Sequence, residues 1–197
     1  MSFIRDAGRF CRHFHIPLQS GDDGILSLMG RKYDAVFFKR LVEKILYYLP
    51  DAAVGIDVMV GFPGEGEEAF SRSRQLIESL PVAYLHVFPY SPRPGTPAAL
   101  LPGRVTESDK KKRGSIIRHL SKTKRETFAG RFLGKELSVL LETRRDRDTG
   151  WMRGYSHNYI PVMVTNGKAS LVNSLVKVVA DKIQDGKLIG RIVEYND

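Results

Sequence analysis

Three segments of this chain end alike, with an apolar run that gives way to a polar exit rich in glycine and proline. They are FHIPLQSGDD (14–23), VGIDVMVGFPGEG (54–66) and YLHVFPYSPRPGTP (84–97). Helical-looking stretches separate them. That is the strand–loop–helix rhythm of a parallel sheet or barrel, in which ligands collect at the carboxyl ends of the strands. The informative residues of the first half should therefore gather at Gln19 and Ser20, Gly61 to Glu65, and Tyr90 to Thr96.

Within this rhythm, Phe14 to Leu18 reads as a short buried strand. Asp22 and Asp34 are placed to cap helices. Phe37, Phe38, Leu41, Val42, Ile45, Leu46 and Leu49 recur at helical spacing until Pro50 stops the run. Val54 to Val60 is apolar without clean alternation, as expected for a strand covered on both faces. Glu67 and Glu68 lie where a helix N-terminus favours acids, ahead of an inner face of Phe70, Ile77 and Leu80. Ala83 to Phe88 is the next strand. Residues 91–103 hold four prolines and two glycines, which marks a linker. Thr106 and Asp109 form a capping pair for a helix reaching about Arg125, with Ile117, Leu120 and Phe128 as its buried stripe. From Gly134 the pattern changes. Leu137–Leu141, Trp151–Ser156, Ile160–Val164, Leu175–Ala180 and Leu188–Val193 are short β-like runs between turns of Gly, Asn and Asp. They suggest a small closed barrel of OB-like size.

Charge follows the same division. Of the net +9, residues 1–103 contribute nothing, with 11 Lys/Arg against 11 Asp/Glu, whereas residues 104–126 carry nine against three. A basic stripe confined to one helix suggests a polyanionic partner, nucleic acid first; a solvated helix face is the other reading. No stretch approaches the roughly 20 apolar residues of a membrane helix, and the N-terminus lacks a signal-peptide layout, so a cytoplasmic location is expected. With a single cysteine, Cys11, the chain can form neither an internal disulfide nor a cysteine-built metal site.

Several residues could carry chemistry. Gly61 and Gly64 let the backbone turn tightly and approach a ligand, though a plain strand-to-helix turn is the commoner use of such a pair. No phosphate-loop Gly-Lys-Ser/Thr follows. Gln19 and Ser20 suit hydrogen bonding to a ribose or amino-acid moiety, or turn-making and capping. Arg31 could clamp a carboxylate or stand on the surface. Asp57, inside an apolar strand, needs a hydrogen-bonding partner. His13, His15 and His86 have no ligand-like spacing, and His86 reads as a packed or hydrogen-bonded histidine. The lone Cys11 thiol reads as inert. In the barrel, Tyr155, Asn158 and Tyr159 surround an exposed-looking turn near Arg153 and His157. They could stack bases and hold phosphates, or be core tyrosines plus a turn asparagine.

Taken in order, CRHFHIPLQSGDDGILSLMGRKY (11–33), GIDVMVGFPGEGEEAF (55–70) and LHVFPYSPRPGTPAA (85–99) resemble the radical S-adenosylmethionine methylthiotransferases. The following helix and barrel look like that family's linker and its terminal RNA-binding TRAM domain. The resemblance implies an α/β fold: the C-terminal half of a partial, six-stranded TIM-like barrel at 1–103, a basic linker helix at 104–130 and a TRAM-like barrel at 131–197. It implies methylthiolation of adenine C2 at tRNA position 37, using S-adenosylmethionine and two [4Fe-4S] clusters. The stretch from Leu85 to Ser91, with Arg93, Gly95 and Thr96, looks most like the branch acting on threonylcarbamoyladenosine. The branches acting on isopentenyl-adenosine and on a ribosomal protein are the alternatives, as is a non-catalytic tRNA-binding piece.

Carried onto this chain, the resemblance assigns Gln19, Ser20, Arg31, Val60, Gly61, Phe88 and Tyr90 to S-adenosylmethionine. With tRNA as the implied partner, the basic stripe and the barrel turn offer Lys110, Lys111, Lys112, Arg113, Arg118, Arg153, Tyr155, Asn158 and Tyr159 as residues to contact its anticodon stem-loop. The family's cluster cysteines have no counterparts here, so no catalytic or metal-binding residue is expected. A part of a longer enzyme, inactive alone, follows from this. So does possible self-association through the open strand edges of a truncated barrel.

Overall fold

The structure is a computed structural model and describes residues 10–195. Tertiary contacts divide the chain into two units. One is an α/β unit of residues 14–50 and 54–121. The other groups residues 10–13 and 51–53 with 122–195. No helix among the described residues is long and apolar enough to cross a membrane.

The α/β unit is built on a three-stranded sheet in the order β1 (His13–Gln19), β2 (Ala53–Val60), β3 (Tyr84–Pro89). Strands β2 and β3 run parallel, with Asp57 opposite His86 and Val60 opposite Pro89. The connections are helical: α1 (Asp23–Leu28) and α2 (Ala35–Tyr48) follow β1, and α3 (Glu67–Ser79) follows β2. Their starts obey the sequence. Asp22 accepts from the Ile25 N–H at 2.9 Å and Asp34 from the Phe37 N–H at 2.7 Å, each satisfying a donor that the helix start leaves open. Phe38, Val42 and Ile45 of α2 and Phe70, Ser73 and Ile77 of α3 are buried one turn apart.

Strand β2 departs from expectation. Val54, Ile56, Val58 and Val60 are buried, but Asp57 and Met59, which alternate with them, are half-exposed. Residues two apart share a face of a strand, so one face of the sheet is core and the other is polar and open. His15, Pro17, His86 and Phe88 are exposed on the neighbouring strands.

After β3 the chain runs through the proline-rich segment and a short 3-10 turn (Pro97–Leu100), then enters α4 (Glu107–Gly130). The expected capping pair forms: the Asp109 N–H donates to Thr106 Oγ1 at 3.1 Å, and that hydroxyl donates to Asp109 Oδ2 at 2.7 Å. Ser121 of α4 accepts from the Leu85 N–H at 2.9 Å and donates to the Leu85 carbonyl at 3.0 Å. The helix thus covers part of the β3 edge that the sequence left open.

The second unit holds a closed five-stranded barrel: β4 (Glu136–Arg145), β5 (Met152–Ser156), β6 (Pro161–Val164), β7 (Leu175–Gln184) and β8 (Lys187–Tyr195), in the order β4-β5-β6-β8-β7. The pairs are antiparallel except β6 with β8. This is consistent with an OB-like barrel. Leu137, Val139 and Leu141 of β4 alternate with more exposed residues, and Val162, Val164, Val176, Val178 and Leu188 complete the interior.

Candidate functional site

The exit of β2 is held by helix α4. Gly61 has φ 76°, a conformation that L side chains rarely adopt, and a Cβ there would strike the Lys110 stem. Its N–H donates to Glu65 Oε2 at 2.6 Å. Arg113 enters from α4. One terminal nitrogen donates to the Glu65 carbonyl at 2.6 Å and to its carboxylate at 3.0 Å, and the other donates to Glu67 at 2.6 Å. Burial pushes the Glu65 carboxyl above the usual range, against the pull of the Gly61 N–H and Arg113. Lys110 is buried as well, pairing with Glu107 at 2.7 Å and lying 5.7 Å from the centre of the Tyr90 ring.

These contacts correct two assignments. Lys110 and Arg113 do not face solvent; they brace the strand exit. The signal was in the sequence, because 110, 113 and 117 recur at helical spacing with the buried Ile117. Lys111, Lys112 and Arg118 are exposed, so the basic stripe is narrower than its charge count implied.

Gly61, Pro63, Tyr90, Ala98, Arg104 and Lys110 line a cavity of about 150 Å³. Tyr90 packs edge-on against Phe62 at 5.1 Å, and its buried hydroxyl has no hydrogen-bond partner among the described residues. A cavity this size takes one ring system, so it suits part of S-adenosylmethionine, not the whole molecule. Of the other residues assigned to that cofactor, Val60 is buried beside it in sequence and Phe88 stands on the open sheet face. Ser20 is buried with its hydroxyl engaged by Ser73 at 3.0 Å and by the Asp22 N–H at 3.2 Å. Gln19 is mostly buried at φ 67°. Arg31 lies in a separate depression with Asp23, Tyr33 and Asp34. The fold gathers Gly61 and Tyr90 and leaves Arg31 apart.

A second constellation lies on the open face of the sheet. His15 Nε2 is 2.6 Å from Asp57 Oδ1, and His86 Nδ1 is 3.7 Å from the same oxygen. Asp57 has the partner its setting demanded. Sequence spacing hid the cluster, because its members come from three strands.

In the barrel unit, Tyr155 and Tyr159 stack with centroids 4.6 Å apart, and His13 stacks on Tyr159 at 4.5 Å. Tyr159 is half exposed, and Arg153 on the same strand as Tyr155 is partly exposed. Asn158 is a further correction: it is fully buried. Its amide donates to the Asp51 carbonyl at 3.0 Å and accepts from Ser156 Oγ at 2.6 Å. It fixes a turn and presents nothing to RNA. Nearby, burial and then Arg12 hold the His157 imidazole below its ordinary pKa, so it favours the neutral form.

No family model matches the chain. The motifs at its strand exits and a curated relative agree, and the chain belongs to the methylthiotransferase family. The relative is the threonylcarbamoyladenosine tRNA methylthiotransferase MtaB of Thermotoga maritima, 40% identical over 152 residues, or 77% of this chain. The chain spans about a third of that relative's length, the match covering 35% of it.

Proposed function

We propose that this chain is the C-terminal part of a tRNA methylthiotransferase acting on threonylcarbamoyladenosine at position 37. The 40% identity to the Thermotoga enzyme carries this reading. In it, the three-stranded sheet is part of a TIM-like radical barrel, and its open polar face looks into that barrel. Gly61 and Tyr90, which line the cavity at the strand exits, would hold a ring of S-adenosylmethionine. The iron–sulfur clusters would supply the electron that cleaves the cofactor and the sulfur that is inserted. The chain's single cysteine does not fit the thiolate set such clusters take, so no step of that chemistry is assigned to its residues. They bind, orient and exclude water.

The tRNA is held by two surfaces. Lys111, Lys112 and Arg118 on α4 contact phosphates, and Tyr155 and Tyr159 offer stacking faces beside Arg153. Strand β5 is the second strand of an OB-like barrel, on the face that such barrels use for oligonucleotides. Fusing the chain behind the family's cysteine-bearing segment, in cells lacking their own enzyme, tests the reading. Mass spectrometry of tRNA should show the methylthio form of threonylcarbamoyladenosine. Methylthiolated isopentenyl-adenosine instead would move the chain to the other tRNA branch, and unmodified tRNA from a well-expressed fusion would refute the catalytic reading.

A further inference from the structure

We propose that His15, Asp57 and His86 form a binding site for a divalent first-row transition-metal ion, separate from any cysteine-held cluster. The three side chains come from β1, β2 and β3, which neighbour one another in the sheet. Asp57 and His86 are direct register partners. One ligand atom from each lies within 4.8 Å of the others, and the two imidazole centroids are 4.7 Å apart.

A purely structural role explains half of this. Asp57 needs a partner, and His15 at 2.6 Å is one. His86 is not needed for that purpose. Its Nδ1 lies 3.7 Å from Asp57 Oδ1, beyond hydrogen-bond distance. It stands instead where a third donor would stand. Donors about 2.0–2.1 Å from a tetrahedral zinc lie roughly 3.3 Å from one another, so the Asp57–His86 pair is near that spacing. The His15–Asp57 pair must lengthen as the metal displaces the proton they share.

The surroundings also suit a metal. The Tyr84 hydroxyl is 3.3 Å from His15 Nδ1, the nitrogen pointing away from Asp57. Metal-bound imidazoles are commonly fixed this way, through the ring nitrogen that is not the ligand. Glycine at position 55 makes this possible, because a Cβ there would collide with the Tyr84 ring. Two imidazoles and one carboxylate favour zinc, cobalt or iron over magnesium or calcium. Three protein donors on an open face leave coordination positions for water or a substrate oxygen, the arrangement of catalytic rather than structural metal sites.

The test uses the tag-free 197-residue chain, stripped of metal and titrated with Co²⁺ while its visible ligand-field bands are recorded. A single Co²⁺ should bind, be displaced by Zn²⁺ and resist excess Mg²⁺. His86→Gln and His15→Gln should each weaken binding at least about tenfold, and Cys11→Ser should leave it unchanged. Zn²⁺ should also raise the melting temperature of the wild type by mass action and not that of His86→Gln. The His86 side chain is more than half exposed, so its replacement should not threaten folding. Absence of a Co²⁺ spectrum at stoichiometric protein, or a His86→Gln titration matching wild type, overturns the site.

Discussion

In the α/β unit the buried polar groups include charged ones, beside serines such as Ser20, Ser73 and Ser121. Glu65 and Arg113 meet at 3.0 Å behind the β2 exit, and Asp22 is held by Arg72 at 2.6 Å and by the Ile25 N–H at 2.9 Å. In the barrel unit they are neutral: Ser156, Asn158 and the Asp51 carbonyl form a chain of ordinary hydrogen bonds. Charged networks cost more to bury and more to break. They also make stability respond to pH through carboxylates. The two units should therefore fail under different conditions, and that contrast is open to experiment.

The largest effect is expected at Glu65. Glu65→Ala leaves the Gly61 N–H without its acceptor and removes the buried carboxylate from the Arg113 guanidinium, which keeps Glu67 and the residue 65 carbonyl, and should destabilise the α/β unit by about 3 kcal/mol. Hydrogen exchange should show weakened protection in β2 and α3 while the barrel strands keep theirs. Equal weakening in both units would break the comparison. Asn158→Ala is the matching test on the other side. It should cost the barrel unit about 2 kcal/mol by stranding the Asp51 carbonyl and Ser156, measured as a lowered denaturant midpoint for the barrel's exchange-protected amides.

The pH responses come next in size, and their signs differ. Glu65 holds its proton more tightly when folded, because burial raises its pKa. Its contribution is therefore greatest below the ordinary glutamate value of about 4.3 and is lost as pH rises through the raised value. Burial of Asp22 acts in the same direction, but the Arg72 hydrogen bond and the Ile25 N–H outweigh it and lower the pKa. Its contribution is present above about 3.9 and lost as pH falls through the lowered value. His157 acts in the barrel unit. Its lowered pKa gives stability that is complete above about 6.5 and is lost as pH falls from there. Urea midpoints against pH should lose the glutamate-range response in Glu65→Gln, the aspartate-range response in Asp22→Asn and the histidine-range response in His157→Gln.

The smallest effect on stability, and the largest on binding, belongs to the exposed face of α4. Replacing Lys111, Lys112 and Arg118 together with Ala should change stability by less than about 0.5 kcal/mol per site. It should flatten the salt dependence of tRNA binding by about 0.9 in log–log slope for each phosphate that is no longer neutralised. Filter binding of an anticodon stem-loop across a salt series measures this. An unchanged slope would remove the helix from the RNA surface. Lys110→Ala and Arg113→Ala offer the contrast, since they should disturb the β2 exit.

Local order was legible in the sequence. Asp22, Asp34 and Thr106 announced their helices because a capping side chain acts within three residues. The barrel strands were readable because alternation and Gly/Asn/Asp turns are short-range signals. Asp57 has a partner as its strand setting suggested, although it stands half-exposed on the open face and is not buried. What a side chain faces was not legible in the same way. Lys110 and Arg113 carry the same charge as Lys111 and Lys112; their helical spacing with Ile117 marked the inner side of α4, and packing over Gly61 gave them something to face. Asn158 read as a turn residue on the surface, and the Asp51 carbonyl drew it into the interior.

The sequence by itself determined the elements, the polar strand exits and the family, because these depend on residues near one another in the chain. The tertiary structure decided which polar groups meet. His15, Asp57 and His86 are 42 and 29 positions apart, and pairing of three strands brings them together on one open face.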